Sequence, residues 1–236
     1  MEKKITKEKV TPNKMGNKVE EKNRQKNIKR VNEIINVFDK LYPEASCSLH
    51  YKDPLQLLVA TQLAAQCTDA RVNIVTKDLF KKYKTVEDFA NADQSELEND
   101  IKSTGFYRNK ARNITNCCKM MIEHFNGKVP DNLEDMLKLP GVGRKTANLV
   151  LGDIFGIPGV VIDTHAARLS KRIGLTKNDH PEKIEYDLME IVPKQEWTKF
   201  CHQLVYHGRA ICTARKPQCT RCPIREHCDY GQNLSI

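Results

Sequence analysis

The chain has 236 residues, 39% hydrophobic and 29% charged, with a formal net charge of +9. No stretch approaches the roughly 20 apolar residues that cross a bilayer, and the polar start Met1-Glu2-Lys3-Lys4 lacks a signal core. Charge alone does not argue for a nucleic-acid partner: residues 1–30 hold 11 basic and 4 acidic side chains, leaving a surplus of only +2 for residues 31–236. A cytoplasmic protein is the simplest reading. Residues 1–27 read as a basic, disordered tail that adds either non-specific phosphate affinity or mere solubility.

From Ile28 onward the pattern is helical. Ile28, Val31, Ile34, Ile35, Phe38 and Leu41 recur at helical spacing, and Pro43 ends that segment. Asp53-Pro54 is a helix start, and the nearly all-apolar Leu55–Ala65 predicts a buried helix. Thr68 opens another helix, and Thr85 with Asp88 forms a capping-box pair. Gly105, Asn126-Gly127, Gly156 and Gly174 sit where helices should stop. Only Val160–Ile162 reads as extended, too short to build a sheet, and no solenoid repeat is present. The fold class is all-α.

The chemistry begins at Glu134–Leu139, a short helix followed by the tight turn Pro140-Gly141-Val142-Gly143 and a second helix from Arg144 to Phe155. Gly141 and Gly143 let backbone amides approach a ligand with no Cβ between, at a helix N-terminus that favours an anion. With Arg144 and Lys145 adjoining, a DNA phosphate suits the turn, although many glycine turns serve only to pack two helices. Lys145 falls in the first turn of its helix, where the dipole disfavours a positive charge, as suits an amine nucleophile. Asp163, in Val161-Ile162-Asp163-Thr164-His165, reads as an N-cap and equally as a carboxylate able to activate Lys145 or stabilise charge on a sugar. His165 is given no chemical role.

Four of the nine cysteines crowd the C-terminus as Cys212, Cys219, Cys222 and Cys228, a C-x6-C-x2-C-x5-C spacing. Four thiolates in one short segment predict a metal site, and the residues alone leave zinc and iron–sulfur both open. Between the first two runs a basic loop with Arg215 and Lys216, suited to touching phosphates or simply solvated.

Together the Leu139–Ala147 turn, the Val161–His165 segment and the cysteine spacing resemble the helix–hairpin–helix DNA glycosylases, and among them the endonuclease III branch, over about Ile28–Gln232. The resemblance implies two helical domains with a DNA-binding cleft between them. A six-helix barrel domain would span 51–157, with the helix–hairpin–helix at 133–155. A cluster domain would comprise 28–50 and 158–236. It also implies one [4Fe–4S] cluster on the four cysteines, Lys145 as nucleophile and Asp163 as its essential carboxylate.

The family extrudes the damaged nucleotide from the duplex. Gln66, in Ala65-Gln66-Cys67-Thr68-Asp69, matches the glutamine that fills the gap, and Phe106 stands where a leucine wedge is common. Backbone carbonyls of Leu137, Leu139 and Val142 would hold a monovalent cation. Adenine-removing relatives generally lack the lysine and carry a further C-terminal domain, whereas this chain ends eight residues after Cys228. The implied function is therefore a bifunctional glycosylase and abasic-site lyase. It would act as a monomer on double-stranded DNA with oxidised pyrimidines or abasic sites, nucleoid-associated, with no membrane. The alternatives are a monofunctional uracil or thymine-mismatch glycosylase of this fold, a non-catalytic metal-stapled DNA-binding module, and a redox protein.

Overall fold

Polar caps fix where most of the helices begin. The computed structural model describes residues 14–234. Helix α1 spans Lys14–Leu41, so the helix extends upstream of Ile28 into the segment read as a tail; residues 1–13 lie outside the described residues. Asp53 accepts the Gln56 amide at 2.9 Å and starts α2, Pro54–Leu63. Thr68 caps α3, Asp69–Lys82. Thr85 and Asp88 exchange both bonds of a capping box over α4, Val86–Ala90. Each such cap is worth about 1 kcal/mol, because it satisfies amides the helix itself cannot.

Asp93 caps α5, Gln94–Asp100, and a short 3₁₀ turn, Lys102–Thr104, leads to Gly105. Helix α6, Tyr107–Phe125, starts without a side-chain cap and stops at left-handed Asn126. The hairpin helices are α7, Leu133–Lys138, and α8, Arg144–Phe155, the latter ended by left-handed Gly156. Then follow α9, Thr164–Ile173, α10, Pro181–Ile191, and α11, Trp197–Ala210. Helix α12, Asp229–Gln232, follows the last cysteine. No strand occurs among the described residues, and Val160–Ile162 is a buried connector.

Two apolar cores organise these helices. The first gathers Leu57, Leu58, Phe89, Leu97, Ile114, Met121 and Met136 from α2 to α8. The second joins Val31, Ile34 and Phe38 of α1 to Leu169, Leu188 and Phe200 of α9–α11, and takes in Ile224 and Cys228. Leu149 of α8 belongs to the second core while Ala147, Val150 and Leu151 of the same helix belong to the first. Helix α8 is thus shared, and its N-terminal turn, which carries Lys145, stands where the two cores meet. No helix among the described residues is long and apolar enough to cross a membrane.

Candidate active site

A cavity of about 250 Å³ opens beside the first turn of α8. Lys145, Asp163 and Gln66 all line it, so three residues separated by nearly a hundred positions are brought together. Lys145 is exposed and Asp163 half-buried. Asp163 has extended backbone, and its Oδ1 accepts the Ala166 amide at 2.7 Å, which fixes the carboxylate at the start of α9. That bond uses one oxygen and leaves the other available toward the cavity.

The cavity wall also has a polar end that sequence patterning missed. The Arg209 guanidinium donates to Asp69 and to the Ser48 hydroxyl, each at 2.7 Å. His202 pairs with Asp153 at 2.9 Å. These residues come from α3, α8, α11 and the segment before α2, and no local motif links them. His165 packs against Gly208 and takes a bond from Arg168 at 3.1 Å, with burial as the leading cause that lowers its proton affinity.

The hairpin turn separates its two glycines into different tasks. Gly141 has φ +74, and a Cβ there would lie 2.8 Å from Asn113 Cβ and 3.1 Å from Gln62 Oε1. Gly143 has φ −95 and ψ 174, open to any residue, and a Cβ there would meet nothing within 4 Å. The fold therefore requires the first glycine, while the second leaves room for something outside the chain. Gly141→Ala should lower stability by about 1–2 kcal/mol from the left-handed backbone alone, read as a fall in Tm. Gly143→Ala should melt like the native chain but bind duplex DNA roughly ten- to a hundredfold more weakly, the scale of one charged hydrogen bond.

Arg144 makes a second contact, away from the turn. Its Nη2 lies 2.8 Å from Glu185 Oε1, and its Nε donates to both Glu185 oxygens at 2.9 and 3.0 Å. Glu185 is buried and also accepts from Asn148 at 3.1 Å, so Arg144 compensates a buried charge on α10. The Nε and Nη2 groups of Arg144 thus hold the α8–α10 contact, while its side chain stays about one-third exposed beside the turn. Of the carbonyls considered for a cation, that of Leu139 accepts the Val142 amide at 3.1 Å within the turn.

Gln66 and Phe106 share an unusual backbone. With Asn126 they are the non-glycine residues at positive φ among those described, at 55° and 49°. Such a conformation costs of order 1–3 kcal/mol and marks a position held by its surroundings. Both residues are exposed, Phe106 by 63% despite its size.

The four cysteines line a second cavity, and none is in a disulfide. Burial pushes the Cys222 thiol up to about 11, and the other three sulfurs oppose its charge further, so a bound metal must displace its proton. The donor set is all sulfur, and four thiolates around one cavity fit an iron–sulfur cluster, which offers each its own iron. His207, pushed by burial to about 4 and hence neutral, has Nε2 3.4 Å from Cys222 Sγ and Nδ1 3.1 Å from the Tyr42 hydroxyl. The loop bearing exposed Arg215 and Lys216 is pinned by Arg172, which donates to the carbonyls of Thr213 and Ala214 at 2.8 and 2.7 Å.

Residues 59–194 match the family model of the HhH-GPD superfamily base excision DNA repair protein, and residues 212–228 match the iron-sulfur binding domain of endonuclease III. Endonuclease III of Synechocystis sp. is 52% identical over 204 residues, 86% of this chain and 93% of that protein. A solved trapped endonuclease III–DNA covalent intermediate superposes with a TM-score of 0.83 at 45% identity, covering 87% of this chain and 97% of that one. A thermostable thymine-DNA glycosylase superposes at 0.78 with 26% identity, covering 89% and 99%.

Proposed function

The chain belongs to the endonuclease III family, and from that premise we infer a bifunctional DNA glycosylase and abasic-site lyase of base excision repair. The observation that carries this reading is the placement of Lys145 and Asp163 on one cavity, beside the phosphate-suited turn of α7 and α8. A flipped nucleotide seated there would present C1′ to the Lys145 amine. The amine forms a bond to C1′ as the glycosidic bond breaks, and the base leaves with that electron pair and takes up a proton. Loss of the amine's own proton and opening of the sugar ring give a Schiff base at C1′. Removal of a C2′ proton then expels the 3′ oxygen, which nicks the strand 3′ to the lesion, and water releases Lys145.

Asp163 is assigned the ionised carboxylate that stabilises positive charge on the sugar and helps to deprotonate the amine. Gln66 and Phe106 would fill the space left by the flipped nucleotide. The amides at Gly141 and Gly143, with Arg215 and Lys216, would hold phosphates, and Leu137, Leu139 and Val142 would lend carbonyls to a monovalent cation. The family's [4Fe–4S] cluster would be held by Cys212, Cys219, Cys222 and Cys228, all within the C-terminal segment, which it would brace without taking part in base release. The barrel segment 51–157 and the cluster-bearing segments 28–50 and 158–236 would act as the two jaws of the cleft, on chromosomal DNA in the cytoplasm.

The test is incubation with duplexes that carry thymine glycol, an abasic site or uracil, in the presence of borohydride. Base release from thymine glycol, a nick and a covalent adduct are expected. Release of uracil or mismatched thymine without a nick would favour the monofunctional alternative, to which the thymine-DNA glycosylase likeness points. Duplex binding with no cleavage of any substrate would leave only a DNA-binding module.

A further inference from the structure

Lys110, in the first turn of α6, is 6% exposed and reaches inward. Its Nζ donates to the carbonyl of Leu63 at 2.7 Å and to that of Thr104 at 2.8 Å. Both acceptors are neutral. An ammonium is costly to bury, and an apolar side chain of similar length would fill this space without that cost. Its partners explain its presence. Leu63 is the last residue of α2, and its carbonyl is one of those a helix end leaves without an amide. Three residues on stands Gln66 at φ 55. Thr104 ends the 3₁₀ turn, and its carbonyl precedes Gly105 at φ 72 and Phe106 at φ 49.

One buried cation therefore ties together the roots of both loops that present the exposed residues Gln66 and Phe106. We propose that Lys110 is a positioning residue that couples these two loops, holding Gln66 and Phe106 at the fixed separation needed to open a duplex. This rests on the functional reading given above, in which the two side chains fill the gap left by the extruded nucleotide. Lys110 lies outside the wall of the cavity that holds Lys145 and Asp163, so it acts through the loops and not on the reacting atoms. Burial lowers its proton affinity, in keeping with a group held by carbonyl dipoles alone.

The consequence is a dependence on substrate form. Coupled wedges matter when stacked, paired DNA must be opened, and are dispensable on a single strand that already exposes its sugar. The full chain with its cluster is compared with Lys110→Met, Lys110→Arg, the Gln66→Ala/Phe106→Ala pair, and that pair combined with Lys110→Met. Single-turnover base release is followed on a thymine glycol duplex with 2-aminopurine beside the lesion. Cleavage is followed on a single-stranded oligonucleotide with one abasic site.

Lys110→Met should slow duplex turnover about tenfold, the scale of one lost charged hydrogen bond, and blunt the 2-aminopurine signal of unstacking. It should leave single-strand cleavage within about twofold, and add no further loss in the Gln66→Ala/Phe106→Ala background. Lys110→Arg, which keeps charge and donors, should recover most of the duplex rate. Equal losses on both substrates, an additive loss in the doubly truncated background, or an unchanged duplex rate would each overturn the proposal. If Lys110→Met does not fold, Lys110→Gln, which keeps a buried donor, is read by the same comparisons. A native chain that cleaves neither substrate would overturn the functional reading itself, whereas native cleavage with no duplex-selective defect overturns Lys110 alone.

Discussion

Lys145→Ala should yield a folded, cluster-bearing protein that forms no borohydride adduct and neither releases thymine glycol nor nicks an abasic duplex. The side chain is exposed on the first turn of α8, so its truncation opens no cavity in either core. Exposed substitutions of this kind usually shift stability by about 0.5 kcal/mol or less. The rate should fall by roughly 10³- to 10⁶-fold, as when a nucleophile is removed while binding and electrostatic stabilisation persist. Duplex affinity should change by about threefold or less, because the turn amides remain and at most one cationic contact is lost. Gel analysis of the adduct, single-turnover nicking and a binding titration together separate loss of chemistry from loss of folding. An undiminished adduct would transfer the nucleophile to another amine.

The parts of this site that were legible in the sequence are those set by local rules. Thr85 with Asp88, Asp53-Pro54 and Asp163 announce helix starts within three or four residues, and each cap bond is present. The hairpin glycines and the cysteine spacing are likewise local signals. What the sequence hid depends on distant segments meeting. Nothing in the turn announces that Arg144 pairs with Glu185, 41 residues away. The Ser48–Arg209–Asp69 group and the His202–Asp153 pair join segments with no shared pattern. Lys110 reads as one more charge on an amphipathic helix, and only the convergence of two carbonyl groups shows why it is buried. The first half of α1 was hidden for a different reason: its charge is that of a tail, and sequence charge alone did not reveal a helix continuing upstream of Ile28.

Asp163 poses a sharper question than Lys145, because it does two things that a single substitution would normally remove together. Its Oδ1 caps α9 through the Ala166 amide, and its charge faces the cavity shared with Lys145. Asparagine separates them. The amide oxygen of Asp163→Asn can accept the same bond, so only the charge–dipole contribution is lost, about 0.3–1 kcal/mol. Asp163→Ala loses the bond as well, which brings the cost to about 1–2 kcal/mol. The rates should not follow that order. If the carboxylate stabilises positive charge on the sugar and takes a proton from the amine, asparagine should be as defective as alanine. Both should slow single-turnover base release by on the order of 10²- to 10⁴-fold. Thermal unfolding would then rank the native chain first, the asparagine variant next and the alanine variant last, while base release divides native from both. A near-native rate for Asp163→Asn, with the alanine variant merely less stable, would reduce Asp163 to a helix cap.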